Sequence, residues 1–168
     1  MKNVLVMDSP IGKLTLVEED DKLICIDFGD STVSELNLGD NRSKNVNYEE
    51  NFFLGNVKNQ LDEYFEGKRK TFDIVLDPKG TEFQRKVWDK LMNIPYGQTA
   101  SYKDIAVKVG NDKASRAIGM ANNKNPIPII IPCHRVVGSS GKMVGYAGGL
   151  VIKESLLNLE KKTNDINS

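Results

Sequence analysis

Ser101-Tyr102-Lys103-Asp104-Ile105-Ala106-Val107-Lys108-Val109-Gly110-Asn111-Asp112-Lys113-Ala114-Ser115-Arg116-Ala117-Ile118-Gly119-Met120-Ala121-Asn122 decides the fold of the second half of this chain. Ser101 and Asp104 stand at the spacing of a capping box, in which each side chain satisfies a backbone amide near the start of the helix. A short helix from 102 to 109 is predicted, stopped at Gly110. Asn111 or Asp112 can cap a following helix from 113 to about 122. Two helices joined by a three- or four-residue turn containing glycine have the spacing of a helix-turn-helix. Its second helix carries Ala114, Ser115, Ala117, Gly119 and Ala121, small side chains that leave room for a phosphate backbone or base edges, with Arg116 the one long cation among them. Small residues equally suit close helix packing, and a lone arginine is most often a solvated charge. DNA binding is therefore a candidate from this pattern alone.

Working outward, Thr81-Glu82-Phe83-Gln84 is another capping box, and Phe83, Val87 and Leu91 share one helical face until Ile94-Pro95. Nearer the N-terminus, Val4-Leu5-Val6, Leu14-Thr15-Leu16-Val17 and Leu23-Ile24-Cys25-Ile26 are short apolar or β-branched segments. Separated by Ser9-Pro10-Ile11-Gly12 and the acidic 18–21 turn, they predict an antiparallel meander. From 49 to 66, Phe53, Val57, Leu61 and Phe65 recur every fourth residue before Gly67, the pattern of an amphipathic helix. Phe72 to Leu76 predicts one more strand. The class is α+β, with a boundary near Asp77-Pro78-Lys79-Gly80 that divides an N-terminal domain, 1–79, from a C-terminal one, 80–168.

Composition bounds the function. The chain has 168 residues, 39% of them hydrophobic, enough to bury a real core. Its longest apolar run, Ile127 to Ile131, contains Pro128 and falls far short of the roughly 20 residues that span a bilayer. The start, MKNVLVMDSP, lacks the apolar stretch and cleavage site of a signal peptide, so a cytoplasmic protein is expected. Two cysteines and one histidine supply fewer than the four ligands of a structural zinc site, and no metal or cofactor is expected. The net charge of zero hides an asymmetry: residues 1–79 hold 10 Lys/Arg against 16 Asp/Glu, a balance of −6, whereas 80–160 hold 11 against 6, a balance of +5. The second part is thus the one suited to a polyanion, and phosphate contacts are not expected of the acidic first part.

The most unusual stretch is Asn125-Pro126-Ile127-Pro128-Ile129-Ile130-Ile131-Pro132-Cys133-His134-Arg135-Val136. Its prolines predict an extended path. Cys25, in an apolar strand, reads as an inert core residue. Cys133 adjoins the only histidine, and the cations His134 and Arg135 would favour its thiolate. Neighbours in a strand point to opposite faces, however, so contact between Cys133 and His134 needs a turn or a bridging water. On a last helix from 151 to 162, Ile152, Leu156, Leu159 and Glu160 fall on or beside one face. Glu160 either meets Lys161 or solvent at the helix end or orients His134.

At this point several motifs in order resemble one family: FQRKVWDKL (83–91), IPYGQTASYKDIA (94–106), ASRAIG (114–119), NPIPIIIPCHRVVGSSG (125–141), GYAGGL (145–150) and KESLLNLE (153–160). The chain resembles the methylated-DNA–protein-cysteine methyltransferases, the O6-alkylguanine-DNA alkyltransferases. The resemblance implies a ribonuclease-H-like N-terminal domain followed by a winged helix-turn-helix. It implies that Cys133 takes an alkyl group from O6 of guanine, and less readily from O4 of thymine, once and irreversibly. His134 would ionise Cys133 through a water, Glu160 would orient the imidazole, and Tyr102 would serve N3 of the leaving base. A base extruded from the duplex is implied, with Arg116 filling the gap and Asn125 acting as a hinge. Ala114, Ser115, Ala117, Gly119 and Arg135 join Arg116 and Asn125 as expected DNA contacts. Val144, Tyr146, Ala147 and Gly148 would wall the base pocket. The partner is double-stranded DNA bound by its minor groove, with no membrane association, and the protein is expected to be a monomer. The ligand count excludes the zinc-bearing version of the family, and the length suits the stand-alone repair form without a regulatory domain.

Three other readings compete. Lesion-binding relatives of the family replace the acceptor cysteine, which is present here. A cysteine hydrolase needs an oxyanion hole, for which no motif appears. A plain winged-helix regulator leaves Cys133, His134 and Glu160 without a role.

Overall fold

The computed structural model describes residues 1–32, 35–36, 38, 46–143, 145–146 and 148–166. The chain forms two compact units, Met1–Pro78 and Lys79–Ser168.

In the first unit, β1 (Lys2–Met7), β2 (Leu14–Glu19) and β3 (Lys22–Phe28) form the expected meander. A fourth strand, β4 (Val46–Asn47), pairs with β1 in parallel, so the sheet has the order β3-β2-β1-β4 and is mixed instead of wholly antiparallel. Asp20 and Asp21 both take positive φ between β2 and β3, the geometry of a tight turn matched to strand twist. Buried Glu18 accepts hydrogen bonds from the Asp21 amide and from the side chains of Asn3 and Asn51. Asn51 in turn caps the helix α1 (Phe52–Phe65), its Oδ1 accepting from Leu54 N at 2.7 Å. The buried stripe of α1 is Leu54, Val57, Leu61 and Tyr64, while Phe53 and Phe65 are only half-buried. The two sets share Val57 and Leu61, and packing against β1 and β2 selects Leu54 and Tyr64 in place of Phe53 and Phe65. The segment 72–76 is also corrected: it makes one parallel bridge, Leu76 with Leu23, through Leu23 N to Val75 O and Asp77 N to Leu23 O.

The second unit opens with α2 (Glu82–Leu91), whose capping box forms as expected between Thr81 and Gln84. The strand β5 (Ala100–Ser101) leads into α3 (Tyr102–Lys108), where Ser101 and Asp104 cap each other's amides. The next helix, α4, is shorter than predicted, Ser115–Asn123, and neither Asn111 nor Asp112 caps it. Asn111 instead folds the turn ahead of it, its Oδ1 accepting from Lys113 N and its carbonyl from Ala114 N, because a short amide side chain competes for local backbone donors. Trp88 Nε1 donates to Ala121 O at 2.8 Å and fastens α2 to α4. The strand β6 (Val136–Val137) pairs with β5 in parallel, and α5 (Leu150–Ile166) closes the unit. Among the described residues no helix is long and apolar enough to cross a membrane, and no cluster of His, Cys, Asp or Glu is suited to a metal ion.

Candidate active site

Pro132 sets the site. Its φ of −81° and ψ of 63°, with Cys133 N donating to Ile131 O at 2.8 Å, make an inverse γ-turn. A single 3-10 turn, Cys133–Arg135, follows. The expected extended path is therefore replaced by consecutive turns. Ile131 N also reaches back to Ile127 O, and Ile129 between them holds a φ of 74°, rare for a β-branched residue. The fixed φ of proline suits such turns as well as strands, and Asn125 supplies the missing hydrogen bonds. Its Nδ2 donates to Ile131 O at 2.8 Å and its Oδ1 accepts from Ile127 N. Asn122 Nδ2 donates to the carbonyl of Cys133.

The 3-10 turn sends three consecutive side chains inward, and Cys133, His134 and Arg135 are all buried. Glu160, 1% exposed on α5, is hydrogen-bonded by His134, Arg135 and Gly97. His134 Nε2 lies 2.6 Å from Oε2, Arg135 donates through Nε at 2.8 Å and Nη2 at 3.1 Å, and Gly97 N donates at 3.1 Å. Arg135 Nη1 donates to Ile94 O at 2.7 Å, and the guanidinium lies 5.6 Å from the Tyr96 ring centre. Burial raises the Glu160 carboxyl, but the hydrogen bonds and charges of His134 and Arg135 outweigh it and hold the group at about 2. Lys153, two turns before Glu160 on α5, is fully buried, with Nζ donating to Val136 O at 2.6 Å.

Around the thiol, burial pushes Cys133 up to about 11 against the side-chain hydrogen bonds of Asn125 and Tyr146 and the charge of Lys153. Burial and the charge of the nearby Cys133 thiolate raise the Tyr102 hydroxyl, and the Tyr102 ring lies beside Gly119. A buried thiol and an imidazole held by a carboxylate are groups suited to chemistry at sulfur.

Comparison with known proteins agrees with the motifs. The family model for the 6-O-methylguanine DNA methyltransferase ribonuclease-like domain matches residues 5–78, and that for the DNA binding domain matches 82–162. The methylated-DNA–protein-cysteine methyltransferase of Methanosarcina acetivorans is 48% identical over 155 residues, 92% of this chain and 96% of its own. The constitutive enzyme of that name from Bacillus subtilis is 44% identical over 157 residues, 92% of each chain. The crystal structure of Mycobacterium tuberculosis OGT in complex with DNA is similar with a TM-score of 0.84 at 42% identity, covering 96% of this chain and 94% of that one. The chain belongs to the methylated-DNA–protein-cysteine methyltransferase family.

Within this methyltransferase-family fold, Asn125, Tyr102 and Tyr146 lie near the Cys133 thiol, and His134 is held by Glu160. Arg116 and Ala117 are exposed on α4, and Ala114, Ser115 and Gly119 are half-buried beside them. Gly148 is half-buried, whereas Val144 and Ala147 lie outside the described residues. Arg135 needs correction as a DNA contact: it is 6% exposed, and its guanidinium is engaged by Glu160 and Ile94. The expected activation of Cys133 by the cations His134 and Arg135 is corrected too, since the nearby cation is Lys153 and the thiol is raised. Lys153 and Gly97 were not foreseen. The seven-residue interval from Lys153 to Glu160, two helical turns, is the one signal that could have found the lysine.

His134 stays neutral in the fold, because burial and the charges of Arg135 and Lys153 outweigh the pull of Glu160 and lower its pKa from 6.5. The unfolded chain therefore binds a proton below that pH that the folded one refuses, so this contribution is complete above 6.5 and is lost as pH falls. The thermal midpoint is expected to drop from pH 7.5 to about 5.5, and His134→Gln to flatten that drop, His134 being the only histidine. An unchanged slope in the variant would refute the buried neutral imidazole. At lower pH Glu160 adds a second loss, its contribution being present above 4.5 and disappearing as pH falls toward about 2.

Proposed function

We propose that this protein repairs O6-alkylguanine in double-stranded DNA, and O4-alkylthymine less readily, by moving the alkyl group irreversibly to Cys133. The observation that carries the reading is the buried Cys133 thiol beside a neutral His134 that Glu160 holds. A thiol raised to about 11 is protonated at neutral pH, so its proton must leave as attack occurs. Glu160 occupies Nε2 of His134, and Nδ1, which makes no protein hydrogen bond, takes that proton directly or through one water. The sulfur lone pair then forms the S–C bond as the C–O6 bond breaks, and its electrons pass to the purine. Tyr102 donates a proton to N3 of the departing guanine. Lys153 stabilises the developing thiolate from within the low-dielectric interior. The thioether has no route back to thiol, so each chain acts once.

A base in a stacked duplex cannot reach a buried sulfur, which is why the reading includes base extrusion. Arg116 on the exposed face of α4 fills the gap, and Asn125 links α4 to the thiol turn as a hinge. Tyr146 and Gly148, with Val144 and Ala147, receive the base. The helix pair engages the minor groove, whose degenerate base code suits a search independent of sequence. The protein acts as a cytoplasmic monomer, and its acidic N-terminal domain does not touch phosphate.

The test is intact-protein mass after incubation with a duplex holding one O6-methylguanine. One methyl group should be gained per chain, in Cys25→Ala as in the wild type, and none in Cys133→Ala. Binding without any gain of mass would make the chain a lesion-binding relative and overturn the reading.

A further inference from the structure

One large side chain on the exposed face of α4 has no part in the chemistry above. Met120 is 65% exposed. At 3.6 residues per turn it stands about 40° around the helix from Arg116 and about 6 Å along it. Ile118, Ala121 and Asn122 are buried on the opposite side. Arg116, Ala117 and Asn123 are exposed around it, as are Lys113 and Lys124 at either end of the helix. From 113 to 153 the chain contains no Asp or Glu, so every charged side chain of α4 and the segment that follows it is basic. An exposed methionine set among basic side chains gains by burial against a polyanion that also offers apolar surface. The floor of a DNA groove, with its sugars and base edges, is such a surface.

We infer that Met120 is an apolar wedge for the minor groove, one helical turn beyond Arg116. The inference rests on the DNA-repair reading above. While Arg116 fills the space of the extruded base, the thioether of Met120 packs against the sugars and base edges of the adjoining step and holds it partly unstacked. Methionine suits the task because its flexible, polarizable chain adapts to whichever step flanks the lesion. The contact involves no phosphate, so its share of the affinity does not vary with salt.

The experiment compares wild type with Met120→Ala, Met120→Gln and Met120→Leu. It measures binding to an undamaged duplex at two salt concentrations, and methyl transfer from a duplex and from free O6-methylguanine base. For the Ala and Gln variants, affinity is expected to fall about tenfold by the same factor at both salts, with Leu restoring most of it. The ratio of duplex to free-base transfer should fall with it, and the melting temperature should stay unchanged. Wild-type binding by the Ala variant would overturn the inference, as would an equal loss with duplex and free base, or self-association of the wild type that the variants abolish. If the wild type gains no methyl group from either donor, the repair reading fails, while the binding comparison still decides the role of Met120.

Discussion

Glu160→Ala is expected to destabilise the protein by about 3–5 kcal/mol, because it leaves the buried Arg135 guanidinium without its counter-charge. The loss compounds beyond that one pair. His134 Nε2 and Gly97 N lose their acceptor in the same step, and a buried donor without a partner costs its full desolvation. Urea unfolding of the whole chain measures the change, and a loss under about 1 kcal/mol would show that water or a neighbouring carbonyl replaces the carboxylate. Glu160→Gln keeps the volume and an acceptor oxygen, so its cost in stability should be smaller. Its cost in alkyl transfer should remain large, at least tenfold, since an amide can neither stabilise the imidazolium nor hold the same tautomer. The contrast between the two variants separates the carboxylate's structural role from its chemical one.

The second large effect is expected at Gly97. Its φ is +77°, where a side chain is strained, and a Cβ there would stand 1.9 Å from Nδ2 of Asn164. Asn164 cannot swing away freely, because Nδ2 donates to Tyr96 O at 3.1 Å. Gly97→Ala must therefore displace either the turn or α5, and either movement pulls the Gly97 amide from Glu160. The expected cost is at least about 2 kcal/mol of stability, together with slower alkyl transfer. Gly110→Ala is the control: its φ of +84° is similar, but nothing lies within 4 Å of the added carbon. Only the backbone term of about 1–2 kcal/mol applies there, with no effect on the active-site pocket. Equal losses at the two glycines would remove the docking of the 95–97 turn on α5 as the reason for glycine at position 97.

The contrast between these glycines shows which information is local. Gly110 was legible as a helix stop because it ends a periodic run, and the boxes Thr81/Gln84 and Ser101/Asp104 were legible because their partners stand three residues apart. The meander could be read from short apolar or β-branched runs set apart by turn residues, a signal that lies within a few residues. In α1 the periodicity was real but ambiguous, and only the sheet beneath it chose Leu54 and Tyr64 over Phe53 and Phe65. The end of α5 hid more. A stripe of Lys153, Leu156, Glu160 and Thr163 is buried there, against the rule that places charge outside, and its justification lies in partners 17 to 63 residues away along the chain.

By itself, then, the sequence determined the two-part α+β organisation, the helix-turn-helix, the cationic second half and the singular position of Cys133 and His134. Each depends on spacing or composition within a short window. Only the tertiary structure decided that Cys133, His134 and Arg135 all turn inward, that Arg135 serves Glu160 and not a phosphate, and that Lys153 is the cation beside the thiol. These are pairings of buried charges, and such a pair is stable only where distant segments meet closely enough to satisfy every donor and acceptor at once.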